Sequence, residues 1–169
     1  MARKDVLKNI IVLNYDSFQD HRGQLYTIWE QKQFKDLNFN HDKVATSKKG
    51  VLRGLHTDKS WKLITCIYGK IQLVVANYIS DSDEYLDHMD ITVDADSQDK
   101  LSILVPPGFL NGHLVLSDFA VFHYKWSYEG NYPDIDEQQS VNWAEPKLNI
   151  NWMCQNPILS NRDKNTPLL

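Results

Sequence analysis

The stretch "GVLRGLHTDKSWKLITCIYGKIQLVVANYI" (50–79) decides how this chain folds. Val51, Leu52, Leu63, Ile64 and Ile67 fall in short apolar runs of strand length, and "IQLVVANYI" (71–79) extends the pattern. "YGK" (68–70) joins two runs closely enough to predict a hairpin. Yet Arg53, His56 and Lys62 sit in the middle of these runs. Charged side chains are costly to bury unless paired. The question is what acidic or anionic group these three face.

Similar segments recur on both sides. "IIVLNY" (10–15) precedes a polar turn, "DSFQDHRG" (16–23), and "QLYTIWE" (24–30) follows it. Further along come "MDITVDA" (89–95), "LSILVPPG" (101–108) and "FAVFHYKWSY" (119–128). Many short strands at near-regular spacing predict an antiparallel sandwich or barrel, a jelly roll being one form. "EQKQFKDLNF" (30–39) is expected to form one short helix. From about residue 131 the chain is rich in Pro, Asn and Asp, and it is expected to wrap the barrel as loops and short turns.

The 169 residues fit one domain, 1–169, and the 42% hydrophobic content is enough for a core. A formal net charge of −4 argues against a nucleic-acid binder acting by bulk charge, so an anionic ligand needs a local basic cluster. Cys66 and Cys154 make no metal-like pair. The apolar run near the N-terminus is too short for a signal peptide or a membrane span. The expectation is a cytoplasmic protein with no membrane partner.

Alternation along the strands sorts the polar residues. Lys62 and Ile64 share one face, Leu63 and Thr65 the other. Arg53 and His56 have opposite parity, so a bend at Gly54 is needed to turn both into one cavity, and glycine permits it. In "HYKWSYEGNY" (123–132), His123, Lys125 and Ser127 share a face, and Tyr124, Trp126 and Tyr128 share the other. The plain reading is an amphipathic strand; the functional one is a Tyr hydroxyl aimed into a pocket. In "ILSNRDKNTP" (158–167), Arg162 and Asp163 read either as loop charge or, for Asp163, as a carboxylate that orients a histidine. No His-x-His occurs, and His21, His41, His88, His113 and His123 are scattered, so no metal site is expected.

Six segments in order carry a resemblance: "DHRGQLYTIW" (20–29), "HDKVATSKKGVLRGLH" (41–56), "KLITCIYGKIQLVVAN" (62–77), "LVPPGFLNGHLVLSDFAVFHYK" (104–125), "VNWAEPKLNINW" (141–152) and "PILSNRD" (157–163). Together they resemble the dTDP-4-dehydrorhamnose 3,5-epimerase family of nucleotide-sugar epimerases. The resemblance implies an all-β, cupin-type jelly-roll β-sandwich with short flanking helices, in a homodimer that lends a strand across its interface. It implies a nucleotide-diphosphate-linked 4-keto sugar as substrate and no cofactor, since epimerisation involves no net redox change.

Roles transfer residue by residue. His56, ending RGLH, matches the catalytic base, and Asp163 the acid paired with it. Tyr124, in the YK motif, matches the general acid on the opposite face of the sugar, and Lys62 a lysine near the keto oxygen. Arg53 matches an arginine on the sugar or diphosphate, and Arg22 one on the nucleotide side. Asn111, His113, Asn40, Asp42 and Lys125 complete the expected substrate-binding set. The family's usual GFAHGF is "GFLNGH" (108–113) here, so Asn111 stands for a histidine. Thr27, Asn40 and Asp42 also depart from the usual pattern. The combination of "HDK" (41–43), "WKLITCIYG" (61–69), N-x-H (111–113) and "YEGNY" (128–132) resembles the branch acting on GDP-linked 4-keto sugars, heptoses included. A mono-epimerase acting at C3 or C5 only, a keto-isomerase, a metal-dependent cupin oxygenase and a non-catalytic nucleotide-sugar binder stay open as other readings.

Overall fold

A computed structural model describes residues 7–131 and 137–169. Strands β1 (Ile11–Tyr15), β4 (His41–Lys48), β6 (Trp61–Tyr68), β9 (Lys100–Val105) and β11 (Phe119–Ser127) form one antiparallel sheet, in the order β1-β9-β6-β11-β4. The second sheet runs β12-β5-β10-β7-β8, from β5 (Leu52–Thr57), β7 (Lys70–Asn77), β8 (His88–Asp94), β10 (Phe109–Val115) and β12 (Gln139–Ser140). Strands β2 (Ser17–Asp20) and β3 (Gly23–Tyr26) pair with each other as a separate hairpin. From β4 to β7 the chain changes sheet at every connection. The architecture is the all-β jelly roll of the cupin type.

Alternating side chains of the two sheets meet between them. Ile64 and Cys66 of β6, Ile103 of β9 and Phe122 of β11 pack with Leu73 and Val75 of β7 and Ile91 and Val93 of β8. Both outer faces are also covered. Phe34, with Trp29, Leu37 and Phe39, lies over Leu63 and Leu104. Val141 and Leu148, with Ile150 and Trp152, lie over Leu55, Val74 and Leu110, so the C-terminal segment wraps the sandwich as expected. Gln72 ties it down: its amide donates to Asn151 O at 3.0 Å and its Oε1 accepts from Met153 N at 2.9 Å.

Several local expectations are corrected. "YGK" does not close a hairpin: β6 and β7 lie in different sheets, and Gly69 (φ 78°) turns the chain from one to the other. Residues 30–39 form only a 3-10 turn at Gln31–Gln33, because Phe34, Leu37 and Phe39 are drawn onto the sheet and the backbone leaves the helical region at Phe34 (φ −131°, ψ 56°). The first half of the polar turn 16–23 is strand β2. Residues 158–167, read as loop, contain the short helix α1 (Asn161–Asn165). Part of "YEGNY" lies outside the described residues.

Candidate active site

A cavity of about 570 Å³ opens between the sheets. One sheet supplies Arg53 and His56 of β5 and Asn111 of β10; the other supplies Lys43 of β4, Lys62 of β6, and Tyr124 and Trp126 of β11. Asp163 and Arg162 of α1 close the side.

Backbone irregularity brings Arg53 and His56 to one side. His56 pairs with Asn111 and Arg53 with His113, so Gly54 and Leu55 oppose Gly112 alone. Such a bulge shifts the alternation by one residue, which answers the parity problem seen in the sequence. Leu55 turns outward into the apolar cluster beneath Val141. Gly54 has φ 124°, and a Cβ there would lie 2.6 Å from Gly112 Cα, so only glycine fits.

His56 Nε2 lies 2.6 Å from Asp163 Oδ1. Asp163 is buried, and the Ser160 hydroxyl accepts from its amide at 3.1 Å, capping α1 and fixing where the carboxylate stands. Burial alone raises the Asp163 pKa, but the hydrogen bond and charge of His56, with Ser160 and the Gly54 amide, outweigh it and hold the carboxyl below its usual range. Asp163 is therefore an anion at neutral pH and holds the His56 ring in one orientation.

Across the cavity, burial pushes the Tyr124 phenol far above its ordinary value, so it keeps its proton. Its ring meets Phe122 edge-on at 4.3 Å. Lys62 is buried, with its ammonium 2.9 Å from Asp58 Oδ2 and 4.9 Å from the Trp126 ring centre. Lys43 lies 5.0 Å from the same ring. Burial lowers the Lys62 pKa and Asp58 opposes that shift. Arg53 Nε donates to Ser47 Oγ at 3.0 Å, and Asn111 Nδ2 donates to His56 O at 3.0 Å. The cavity thus holds a carboxylate-backed imidazole, a protonated phenol, an amide and several cations. That set suits proton transfer at a carbon next to a carbonyl, on an anionic substrate.

Not every expected residue reaches this cavity. Arg22 is bound to Asp20 at the tip of the β2–β3 hairpin. Asp42 sits on the opposite face of β4 from Lys43, where it pairs with His123 and Lys125, each at 3.0 Å. Lys125 alternates away from Tyr124 and lies 4.6 Å from the Trp29 ring centre. Asn40 donates to Tyr128 O, and Thr27 is exposed. His113 is fully buried and stacked on Phe122 at 4.0 Å, where burial first and then Arg53 and His56 depress its pKa to about 3. It is a neutral core residue beside the cavity.

Sequence reasoning missed Lys43, Asp58 and Ser160, and placed Trp126 on the face of Tyr124 without giving it a role in the site. The pattern Ser160-x-x-Asp163 is itself a helix-start signal, and Lys43 would have followed from alternation had β4 been recognised. Among the described residues, no three His, Cys, Asp or Glu side chains gather to hold a metal, and no helix is long and apolar enough to cross a membrane.

Comparison with known proteins converges on one group. A sequence model of the dTDP-4-dehydrorhamnose 3,5-epimerase family matches residues 4–169. The Shigella flexneri dTDP-4-dehydrorhamnose 3,5-epimerase is 30% identical over 96% of this chain and 92% of its own. The crystal structure of the Elizabethkingia anophelis enzyme of the same name superposes with a TM-score of 0.85 at 31% identity, covering 98% of this chain and 94% of that one. The Legionella pneumophila dTDP-6-deoxy-D-glucose-3,5-epimerase, solved with dTDP-4-keto-L-rhamnose, superposes with a TM-score of 0.87 at 25% identity, covering 96% and 88%. All three relatives are named for dTDP sugars, and none lends support to the GDP branch. With its jelly roll and the full-length match, this chain belongs to the dTDP-4-dehydrorhamnose 3,5-epimerase family and is a carbohydrate epimerase.

Proposed function

We propose that the protein inverts both carbons next to the ketone of a nucleoside-diphosphate-linked 4-keto sugar, C3 and C5, in the cytoplasm. The observation that supports this reading is the placement of His56, paired with Asp163 of α1, and Tyr124 on different sheets, facing one cavity.

The 4-keto group acidifies the hydrogens at C3 and C5. His56 removes one as a proton, and the electron pair becomes an enolate with its charge on O4. Lys62 and Asn111 stabilise that charge; donors of this kind are typically worth about 10²–10³ in rate each. Tyr124 returns a proton to the opposite face of the carbon, so the centre inverts. Asp163 stabilises the imidazolium formed on His56. Arg53, with Lys43 and Arg162 nearby, suits the diphosphate.

The relatives' names support dTDP, with thymine as the base. A GDP-linked sugar is the second reading, motivated by Asn111 standing for the family's usual histidine in the cavity wall. Asn40 and Asp42, which also suggested it, are turned to other partners.

Arg22 belongs to the proposal through a partner subunit. Phe18 and Leu25 of the β2–β3 hairpin are each 74% exposed, and this hairpin joins neither large sheet. An exposed apolar hairpin is a ready element for pairing with another chain. We take the protein to be a homodimer, with the hairpin at its interface and Arg22 at the neighbouring cavity.

The test is incubation with dTDP- and GDP-linked 4-keto sugars in D₂O, read by mass spectrometry and by product stereochemistry. Two deuteriums at carbon with inversion at both centres are expected. One deuterium shows a mono-epimerase, a moved ketone shows an isomerase, and no exchange with either nucleotide overturns the reading.

A further inference from the structure

Asp58 is the buried acid that the reaction outlined above does not use. It begins the turn between β5 and β6, two residues after His56 and four before Lys62. Its side chain is 1% exposed and that of Lys62 5%. The Ser60 amide donates to Asp58 Oδ1 at 2.8 Å, and the Asp58 carbonyl accepts from Gly108 N at 3.3 Å, so the residue is held from both ends. Asp58 Oδ2 is buried, and its partner is the Lys62 ammonium, 2.9 Å away, which compensates its charge.

We propose that Asp58 is a positioning residue: its fixed carboxylate aims the Lys62 ammonium at the cavity and keeps it charged there. The groups facing Lys62 make this necessary. Lys43 of β4 shares the Trp126 ring with it and repels its charge, and the β11 side of the cavity presents Trp126 and the protonated Tyr124. His56 of β5 gains a positive charge in the reaction. An ammonium buried among cations and rings loses its proton readily unless a carboxylate opposes that loss. Asp58 acts through electrostatics and orientation and touches no reacting atom.

This inference rests on the role given to Lys62 in the proposed reaction, and the experiment separates the two. Asp58→Asn keeps shape and removes charge. Its kcat is expected to fall about tenfold or more with KM little changed, and the alkaline limb of its pH–kcat profile is expected to move down by about one pH unit or more. In a Lys62→Met background, Asp58→Asn should cost nothing further, since both act as one unit. An unmoved alkaline limb, or a full additional loss in that background, overturns the inference. Full activity of Lys62→Met alone overturns the role of Lys62 instead. Should Asp58→Asn not fold, Asp58→Glu displaces the charge without removing it: a lower kcat with the limb in place is expected, and an unchanged kcat counts against the proposal. In the unmutated protein, ¹³C-lysine NMR should show Lys62 charged at pH 7; a neutral Lys62 there also overturns it.

Discussion

The His56 ring and the Asp163 carboxylate, 107 positions apart in sequence, meet at 2.6 Å because the capped start of α1 is folded against β5. The two are unequal partners in the proposed reaction. His56→Ala or His56→Asn should abolish turnover in a protein that stays folded, since acid–base groups of this kind contribute about 10²–10⁴. Asp163→Asn should cost less, because it orients the ring and transfers no proton. Steady-state rates of the purified variants check the order, and a larger loss from Asp163 would make Asp163 itself the base.

Tyr124 separates exchange from inversion. Tyr124→Phe should still exchange hydrogen for deuterium next to the ketone, through removal and return at His56 on one face. It should invert poorly, because the other face has lost its acid. Deuterium content and stereochemistry measured on the same sample test this, and full inversion by the variant would pass the role to water or another residue.

His113 makes acid stability measurable. Its folded pKa, about 3, lies below the ordinary 6.5, so the unfolded chain takes up a proton that the folded protein refuses. Its contribution is complete above about pH 6.5 and is lost as pH falls from there toward 3, by at most roughly 1.4 kcal/mol per pH unit. His113→Phe, which restores the apolar residue usual in the resembling motif, should lose less stability than the parent between pH 7 and pH 4. Parallel urea melts at several pH values decide it; equal slopes for both proteins would mean that His113 titrates normally.

The hairpin gives a prediction about assembly. Leu25→Glu and Phe18→Glu place charge on the most exposed apolar side chains of β2 and β3. Both should shift a dimer toward monomer and lower activity as protein is diluted. Sedimentation velocity reads this directly, and an undisturbed dimer in both variants would move the interface elsewhere.

Much of this site was legible because strand alternation is a strict code. It put Tyr124 with Trp126 and opposed both to Lys125, as found. It also required a bend at Gly54, which the bulge against Gly112 provides. It was silent where the signal is carried by packing. The polar strand β4, "HDKVATSK", has no apolar alternation to mark it, because most of its residues are exposed. The sheet change at Gly69 resembles a hairpin in one dimension, since both need a glycine between two strands. Asp58 looks like any turn residue until Lys62 is seen beside it. The roles of Arg22, Asn40 and Asp42 came from resemblance alone, and no local physics in the sequence could have told which face of the protein they occupy.

Because His56 and Tyr124 belong to different sheets, the hydrophobic layer between them also acts as a gauge. Face-to-face sheets stand about 10 Å apart, a spacing set by the side chains that fill the gap. Phe122 is one of these, and it touches both His113 and Tyr124. Phe122→Leu removes volume without touching a polar group. It should leave exchange at His56 nearly intact while slowing delivery of the second proton, as a loosened vice still grips on one jaw. A ratio of exchange to inversion that rises in this variant, in a protein that still melts cooperatively, would show the core calibrating the distance across which the proposed chemistry runs.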